Sequence, residues 1–297
     1  MSSISVVIPT YNRGQFIIPT LQSVIEQKTE HNVEIIVVDD GSTDDTITRI
    51  AEFIKTQGIS VIRLFQQQNG GPASARNFGI LNSKSEFVAF TDSDCIADPY
   101  WISQLMSAFT KENIAGVGGL MKGIGTDLLS DYIDTAKILH PKIVNGEVLQ
   151  IVTGNACFRR EVLVHVGLFD EQFKLPGGED TELSIRTINS GYKLAYNVEA
   201  VILHNHKDTL RSLLKTMRNY GRGRYLIGTK WPKNRIKYPY LAIVRSIIKT
   251  RRAPYSAWKF RKKGGFKRSC LFEAWSLLTT LTFLFGYING KRYYANS

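Results

Sequence analysis

Over its first hundred residues the chain alternates short apolar runs with segments of helical spacing, and this rhythm leaves few folds open to it. The apolar runs are residues 4–9, 34–38, 60–65 and 86–90. Between them, 15–27 places Phe16, Leu21, Val24 and Ile25 on one helical face, and 44–55 does the same with Ile47, Ile50, Phe53 and Ile54. Residues 71–82 read as a shorter helix with small residues on one side, and 98–110 as a helix carrying Trp101, Leu105, Met106 and Phe109. Strand and helix in strict turn predict an α/β domain, with a mostly parallel sheet covered by helices on both faces.

From about residue 112 the rhythm changes. Residues 114–120 are Gly-rich and strand-like, 127–140 helical, 148–159 one or two strands, 160–166 a short helix, 179–189 a helix and 192–203 a strand. This half predicts a mixed-sheet lobe beside the first. A long basic helix follows at 208–225. The expected organisation is therefore one α/β domain over 1–206 and a basic, partly apolar helical region over 207–297.

Charge sharpens that division. The net charge is +12, but residues 201–297 hold 22 Lys or Arg against only Asp208 and Glu273, while 1–200 are net acidic. A basic tail on an acidic body points to a polyanion: anionic lipid headgroups, substrate phosphates or nucleic acid. Residues 271–288 are apolar apart from Glu273 and some Ser, Thr and Gly, and follow Lys259, Arg261, Lys262, Lys263, Lys267 and Arg268. They fall a little short of the ~20 residues a spanning helix needs. A basic flank with an aromatic-rich apolar face favours a helix lying in a membrane interface over a buried core helix, and both readings stay open. Cys95, Cys157 and Cys270 give no metal-binding spacing and no even set for disulfides, which fits a reducing compartment. No secretory leader is visible at the N-terminus.

The chemistry is concentrated where the apolar runs stop. Residues 86–90 end in Thr91-Asp92-Ser93-Asp94, two carboxylates two residues apart at a strand terminus. Like charges there repel, and a divalent cation such as Mn²⁺ or Mg²⁺ relieves them. The first run ends in Pro9-Thr10-Tyr11-Asn12-Arg13, where Pro9 is expected to stop the sheet pairing and Tyr11 could stack on a flat ring. The second ends in Asp39-Asp40-Gly41-Ser42-Thr43-Asp44, in which Ser42 or Thr43 can cap the next helix. Asn69-Gly70-Gly71-Pro72-Ala73-Ser74-Ala75-Arg76-Asn77 opens the third helix, with Arg76 one turn in, able to reach a phosphate or base. Further on, Gly177-Gly178-Glu179-Asp180 precedes a helix, His204-Asn205-His206 follows the last apolar run, and Arg218, Tyr220, Gly221, Arg222, Gly223 and Arg224 form a basic patch expected to be flexible.

These segments, in this order and spacing, resemble the family 2 glycosyltransferases over about residues 3–206. The resemblance implies a GT-A fold: a Rossmann-like nucleotide-binding half, a mixed-sheet acceptor half, and here a helical C-terminal extension. It implies a nucleoside-diphosphate sugar donor, UDP-sugar favoured, held by Pro9, Thr10, Tyr11, Arg13, Asp40 and Arg76, with Asp39 as an alternative to Asp40. It places Asp92 and Ser93 at the ribose or metal and Gly154, in Thr153-Gly154-Asn155-Ala156, near the transferring sugar. It carries Asp180 over as catalytic base with Glu179 beside it, and Asp94, Asp92 and His204 as ligands of Mn²⁺ or Mg²⁺, His206 being the alternative to His204. Expected partners are a glycan or lipid-linked acceptor hydroxyl and an anionic membrane surface. The expected location is cytoplasmic, peripheral on the inner face of the cell membrane. A nucleic-acid-binding protein would use the basic tail but leave the strand-end motifs without a purpose. A nucleotidyltransferase would need a signature for attack at the α-phosphate, and none is present.

Overall fold

The computed structural model describes residues 1–206, 209–234, 236 and 266–295. In chain order its elements are β1 (Ser3–Thr10), α1 (Gly14–Ile25), β2 (Asn32–Asp39), α2 (Thr46–Gln57), β3 (Ile62–Gln66), α3 (Pro72–Asn82), β4 (Phe87–Thr91), β5 (Cys95–Ala97), α4 (Trp101–Ser107) and β6 (Ile114–Gly123). Then come α5 (Leu128–Thr135), β7 (Lys142–Val144), β8 (Glu147–Gln150), β9 (Asn155–Arg159), α6 (Arg160–His165), α7 (Glu179–Asn189), β10 (Lys193–His204), α8 (Leu210–Lys230), α9 (Phe266–Ile288) and α10 (Gly290–Ala295). The chain forms two compact units. The first holds residues 1–126, 137–174 and 179–206; the second holds 127–136, 175–178 and the described residues from 209 on.

The first unit is built on one sheet in the order β3-β2-β1-β4-β9-β6-β10-β8-β7, with β5 added against β10. The strands β3, β2, β1 and β4 run parallel, so their carboxyl ends share one edge. β9 runs antiparallel to β4 and starts at that edge, with Asn155 opposite Thr91. The period-2 alternation of β1 and β2 sorts their side chains between two cores. Ile4, Val6, Ile8, Ile35 and Val37 pack against Ile17 and Leu21 of α1 and Ile50 of α2. Val7, Ile36 and Val38 pack on the other face with Ala73 and Ile80 of α3 and Leu183 of α7. α3 comes close enough that a side chain on Gly79 would strike Val7.

Two boundaries differ from the sequence expectation, for tertiary reasons. The helix expected over 98–110 starts only at Trp101, because Asp98–Tyr100 form a turn after β5, with the Asp98 N–H donating to the Val201 carbonyl and the Trp101 N–H to the Asp98 carbonyl. β5 itself (Cys95–Ala97), which the sequence did not suggest, pairs antiparallel with β10, Cys95 opposite His204. The helix expected over 127–140 stops at Thr135, and a β7–β8 hairpin follows. Its turn is Asn145-Gly146, both at positive φ (51° and 82°), the left-handed pair that matches strand twist.

In the second unit α8 is N-capped by Thr209, whose hydroxyl accepts from the Ser212 N–H at 3.2 Å. The Tyr132 ring of α5 lies 5.5 Å from both Phe272 and Trp275 of α9, its hydroxyl 2.9 Å from Thr279 Oγ1, and Asp131 pairs with Arg268. The patch around Tyr220–Arg224 is not a flexible stretch. It is interior to α8, with Gly221 and Gly223 buried. A Cβ on Gly221 would strike the Phe283 carbonyl of α9, and one on Gly223 the Gly177 carbonyl. The glycines are there because backbone meets backbone. Gly177 and Gly178 sit at φ 127° and 105°, open mainly to glycine. Of the basic flank named above, Lys259, Arg261, Lys262 and Lys263 lie outside the described residues, whereas Lys267 and Arg268 belong to α9.

Candidate functional site

The sheet edge where β1, β2 and β4 end collects most of the singled-out residues, all within the first unit. Thr10 stands opposite Asp39 in the β1–β2 register. Pro9 does not end that pairing, since Pro9 and Thr10 both pair with β2; on the other side the ladder to β4 has already stopped at Val7 opposite Phe90. Thr10 Oγ1 and Asp39 Oδ1 are buried and have no hydrogen-bond partner among the described residues. Asp39 Oδ2 accepts from the N–H groups of Gly41 at 3.2 Å and Ser42 at 2.9 Å.

Asp40 stands differently. Its carboxylate accepts from the Gly70 and Gly71 N–H groups at 2.8 and 2.9 Å and from Gln67 Nε2 at 2.7 Å, clamping the loop that opens α3. Of the two acids, Asp39 keeps an oxygen free for a ligand. Ser42 and Thr43 are not helix caps: Ser42 Oγ accepts from the Asn12 N–H at 2.8 Å, and the Thr43 N–H donates to Asn12 Oδ1 at 2.8 Å. They tie the loop after β2 to the loop after β1, where Tyr11 stands 47% exposed.

Arg76 does not point outward either. It is buried, donating from Nη2 to Asp92 Oδ1 at 2.9 Å and from Nη1 to Glu179 Oε1 at 3.1 Å. Burial works against its charge, but Asp92 and then Glu179 outweigh that and raise its pKa above the ordinary arginine value. Arg76 thus fastens the strand end after β4 to the start of α7. Asp180, next to Glu179, accepts from the Thr181 N–H at 2.6 Å. Burial, and then the charge of Glu179, push its carboxyl up to about 7, with the Thr181 N–H and then Arg76 pulling the other way.

Beyond Asp92 and the buried Ser93, Asp94 Oδ1 lies 3.5 Å from His204 Nε2 at the end of β10. Its Oδ2 lies 3.5 Å from Arg13 Nε. The Nδ1 atoms of His204 and His206 are 2.8 Å apart, so one carries the proton and the other accepts it. Asp94, Cys95 and His204 each offer a ligand atom, all within 4.8 Å of one another. Asp92 is not in this cluster, having one oxygen on Arg76. Donors bonded at about 2.0–2.2 Å to one ion stand roughly 3–3.5 Å apart, so Asp94 and His204 fit a shared divalent cation, and an oxygen-plus-imidazole set suits Mn²⁺ better than Mg²⁺.

Three contributors were not singled out by sequence reasoning. A Cβ on Gly154 would lie 2.9 Å from Asp92 Oδ2 and 2.8 Å from Met121 Cε, so Met121 and the bare glycine together wall the Asp92 carboxylate. Buried Asn155 accepts from Trp101 Nε1 at 2.8 Å and donates to the carbonyls of Leu120 at 2.9 Å and Ala200 at 2.8 Å, pinning the start of β9 to β6 and β10. Cys95 came into the cluster through the β5–β10 pairing. Asn155 beside Gly154 and Trp101 on the helix expected over 98–110 were the sequence signals for these contacts, and neither names its partner.

Comparisons with known proteins give the family and the fold. The model of glycosyl transferase family 2 matches residues 5–167, and that of glycosyl transferase family group 2 matches residues 101–290. The chain is 28% identical to the chondroitin synthase of Escherichia coli over 236 residues, covering 64% of this chain and 33% of that protein. It is 27% identical to the hyaluronan synthase of Pasteurella multocida over 224 residues, 63% of this chain and 23% of that one. The chain thus spans about a quarter to a third of the length of these curated relatives. Among solved structures, a Pyrobaculum calidifontis mannosyltransferase in complex with GDP-Man and Mn²⁺ superposes with a TM-score of 0.69 at 15% identity, over 97% of this chain and 86% of that one. GalNAc-T7 with UDP, GalNAc and Mn²⁺ gives 0.62 at 19% identity, over 93% and 57%. At such identities the likeness is one of fold.

Proposed function

The chain belongs to glycosyl transferase family 2 and has a GT-A fold, and from that premise we propose that it moves a sugar from a nucleoside-diphosphate donor, a UDP-sugar first among them, to an acceptor hydroxyl with inversion. The observation that carries the reading is the Asp94–His204 pair, 3.5 Å apart at the sheet edge where the strand-end motifs meet. Thr10 and Asp39, with their unpartnered buried oxygens, would take the nucleoside's hydroxyl or N–H groups, and the exposed Tyr11 ring would stack on its base. Pro9 shapes that strand end, Asp40 acts through the Gly70–Gly71 loop, and Arg76 through Asp92 and Glu179. Asp92, beside Gly154 and Ser93, would face the ribose and the transferring sugar. Arg13 would share the diphosphate charge.

Asp94 and His204 would hold Mn²⁺, or less well Mg²⁺, which when bound stabilises the charge of the departing diphosphate. Asp180 takes the acceptor proton. As the acceptor O–H bond gives way, its oxygen bonds to the anomeric carbon from the face opposite the leaving diphosphate, and the carbon–phosphate-oxygen bond breaks. A carboxyl lifted to about 7 is a far better matched base for a hydroxyl than an ordinary Asp. Glu179 and Arg76 hold it in position.

The acceptor is a glycan or lipid-linked sugar of a cell-surface polysaccharide or glycolipid, in keeping with the chondroitin and hyaluronan synthase relatives. Residues 1–206 carry the chemistry and 207–297 the attachment. Within α9, Cys270–Ile288 is long and apolar enough to cross a membrane, with mean hydropathy 1.4 and only 22% of it buried. With Lys267 and Arg268 at one end and Lys291 and Arg292 beyond the other, it would lie on the anionic cytoplasmic face of the cell membrane. The test is a donor screen by nucleoside diphosphate release, with and without Mn²⁺. Release should need the ion and be lost in Asp94→Ala; full activity in excess chelator would remove the metal from the reaction.

A further inference from the structure

We infer that Asp94, Cys95 and His204 form a soft-metal trap within this site, taking Zn²⁺ or Cd²⁺ through the Cys95 sulfur and holding the protein inactive; the inference rests on the reading that Asp94 and His204 face the donor's cation. Three features place the sulfur there. β5 pairs antiparallel with β10, and Cys95 stands directly opposite His204, which puts both side chains on one face of the sheet. Cys95 follows Asp94 in the chain, and one ligand atom from each of the three residues lies within 4.8 Å of the others. Asp94 Oδ1 and His204 Nε2 are already at 3.5 Å, the spacing of two ligands on one ion. Tetrahedral zinc with bonds of about 2.0–2.3 Å sets its ligands roughly 3.3–3.8 Å apart, so a shift of about 1 Å brings the sulfur in.

The two classes of ion would use the cluster differently. Mn²⁺ is a hard ion, takes oxygen and imidazole, and has no call on a thiol. Cys95 is buried beside both hard-ion ligands, so a soft ion in the same place meets its sulfur. Zn²⁺ and Cd²⁺ favour thiolate strongly. As the sulfur–metal bond forms, the thiol proton passes to solvent, and nothing is oxidised or reduced. Two protein ligands on an octahedral ion leave positions for both phosphates of a diphosphate. Three on a tetrahedral ion leave a single position, so the diphosphate cannot chelate. Arg13, 3.5 Å from Asp94, is the cationic group that any ion must displace or share the carboxylate with.

The experiment uses full-length protein carrying Cys270→Ser, since Cys270 is the exposed thiol. Cd²⁺ is titrated while the ultraviolet thiolate-to-cadmium band is followed, and Mn²⁺ binding is measured separately by electron paramagnetic resonance. The parent should bind one Cd²⁺ with the band and lose Mn²⁺-supported diphosphate release as it fills. Adding Cys95→Ser should abolish the band and weaken Cd²⁺ by ~10²-fold or more, while Mn²⁺ affinity changes by less than about threefold. A parent that binds Mn²⁺ but shows no band, or a Cys95→Ser protein that holds Cd²⁺ as tightly as the parent, overturns the inference alone. A parent that binds neither ion overturns the donor-cation reading with it. Should Cys95→Ser fail to fold, Cys95→Ala and the parent's own band decide.

Discussion

Replacing Arg76 by Met tests the architecture of the site most sharply. The guanidinium is buried and is the cation between Asp92, at 2.9 Å, and Glu179, at 3.1 Å, with the Phe169 ring 5.7 Å away. Met keeps much of the volume and the contact with the ring, so the change isolates the charge. Removing one partner of a buried ion pair costs about 3–5 kcal/mol, because the other charge is left uncompensated. At roughly 2–4 °C per kcal/mol for a unit of this size, the melting temperature should fall by about 6–20 °C at neutral pH. The pH dependence gives the argument its signature. Asp180 is already lifted to about 7, and Arg76, after the hydrogen bond from the Thr181 N–H, is the charge that pulls it down. A carboxyl raised in the folded state favours folding while protonated, and the cost of ionising it grows as pH rises from the ordinary carboxylate range through the folded value. Without Arg76 that folded value moves higher still. The deficit of Arg76→Met should therefore be small at about pH 5 and large at about pH 8.5, measured by circular dichroism melts at both. The acid limb of its pH–rate profile should move to higher pH. A deficit below about 1 kcal/mol, or one that is the same at both pH values, would refute the reasoning.

Other expectations follow from the same geometry. Asp180→Asn should lower sugar transfer by roughly 10²–10⁴-fold with donor affinity near wild type, whereas Glu179→Gln should act through position and cost less; the reverse order in steady-state kinetics would make Glu179 the base. In the unaltered protein, transfer should fall as pH drops below about 7, with the slope of one ionisation, since protonated Asp180 accepts no proton. Gly154→Ala, whose Cβ would press on Asp92 Oδ2 and Met121, should raise the donor KM while costing about 1–3 kcal/mol or less in stability by thermal melt. The double change Leu278→Asp and Phe285→Asp, at positions 39% and 54% exposed on α9, should weaken sedimentation with anionic liposomes at high salt without lowering the melting temperature; unchanged sedimentation would return α9 to a purely packing role.

What the sequence determined by itself is the family and the alternating order of strands and helices through β4. Apolar runs of strand length, each ending in polar or glycine-rich residues, fix where the sheet stops and the site begins, because a strand's carboxyl end is the natural ligand edge of an α/β sheet. That is why Thr10, Asp39, Asp92 and Asp94 were legible as candidates, whereas the Glu179–Asp180 pair, at the start of a helix, came in only through the family resemblance. Which of two adjacent acids keeps an oxygen for a ligand was not legible. Asp39 and Asp40 look alike in a string of letters, and only the fold brings the Gly70 and Gly71 N–H groups onto Asp40 and leaves Asp39 Oδ1 free. Arg76 looked like a hand reaching for phosphate, until α7, a hundred residues away in sequence, supplied Glu179 to hold it. Cys95 and His204 lie more than a hundred residues apart and met through one antiparallel pairing. The glycines of α8 read as flexibility and proved to be close packing against backbone carbonyls. Local spacing decides which residues sit at a strand end or on a helix face, because those periods belong to the backbone. Which charges neutralise one another depends on distances of about 3 Å between segments far apart in the chain, and only tertiary packing sets those.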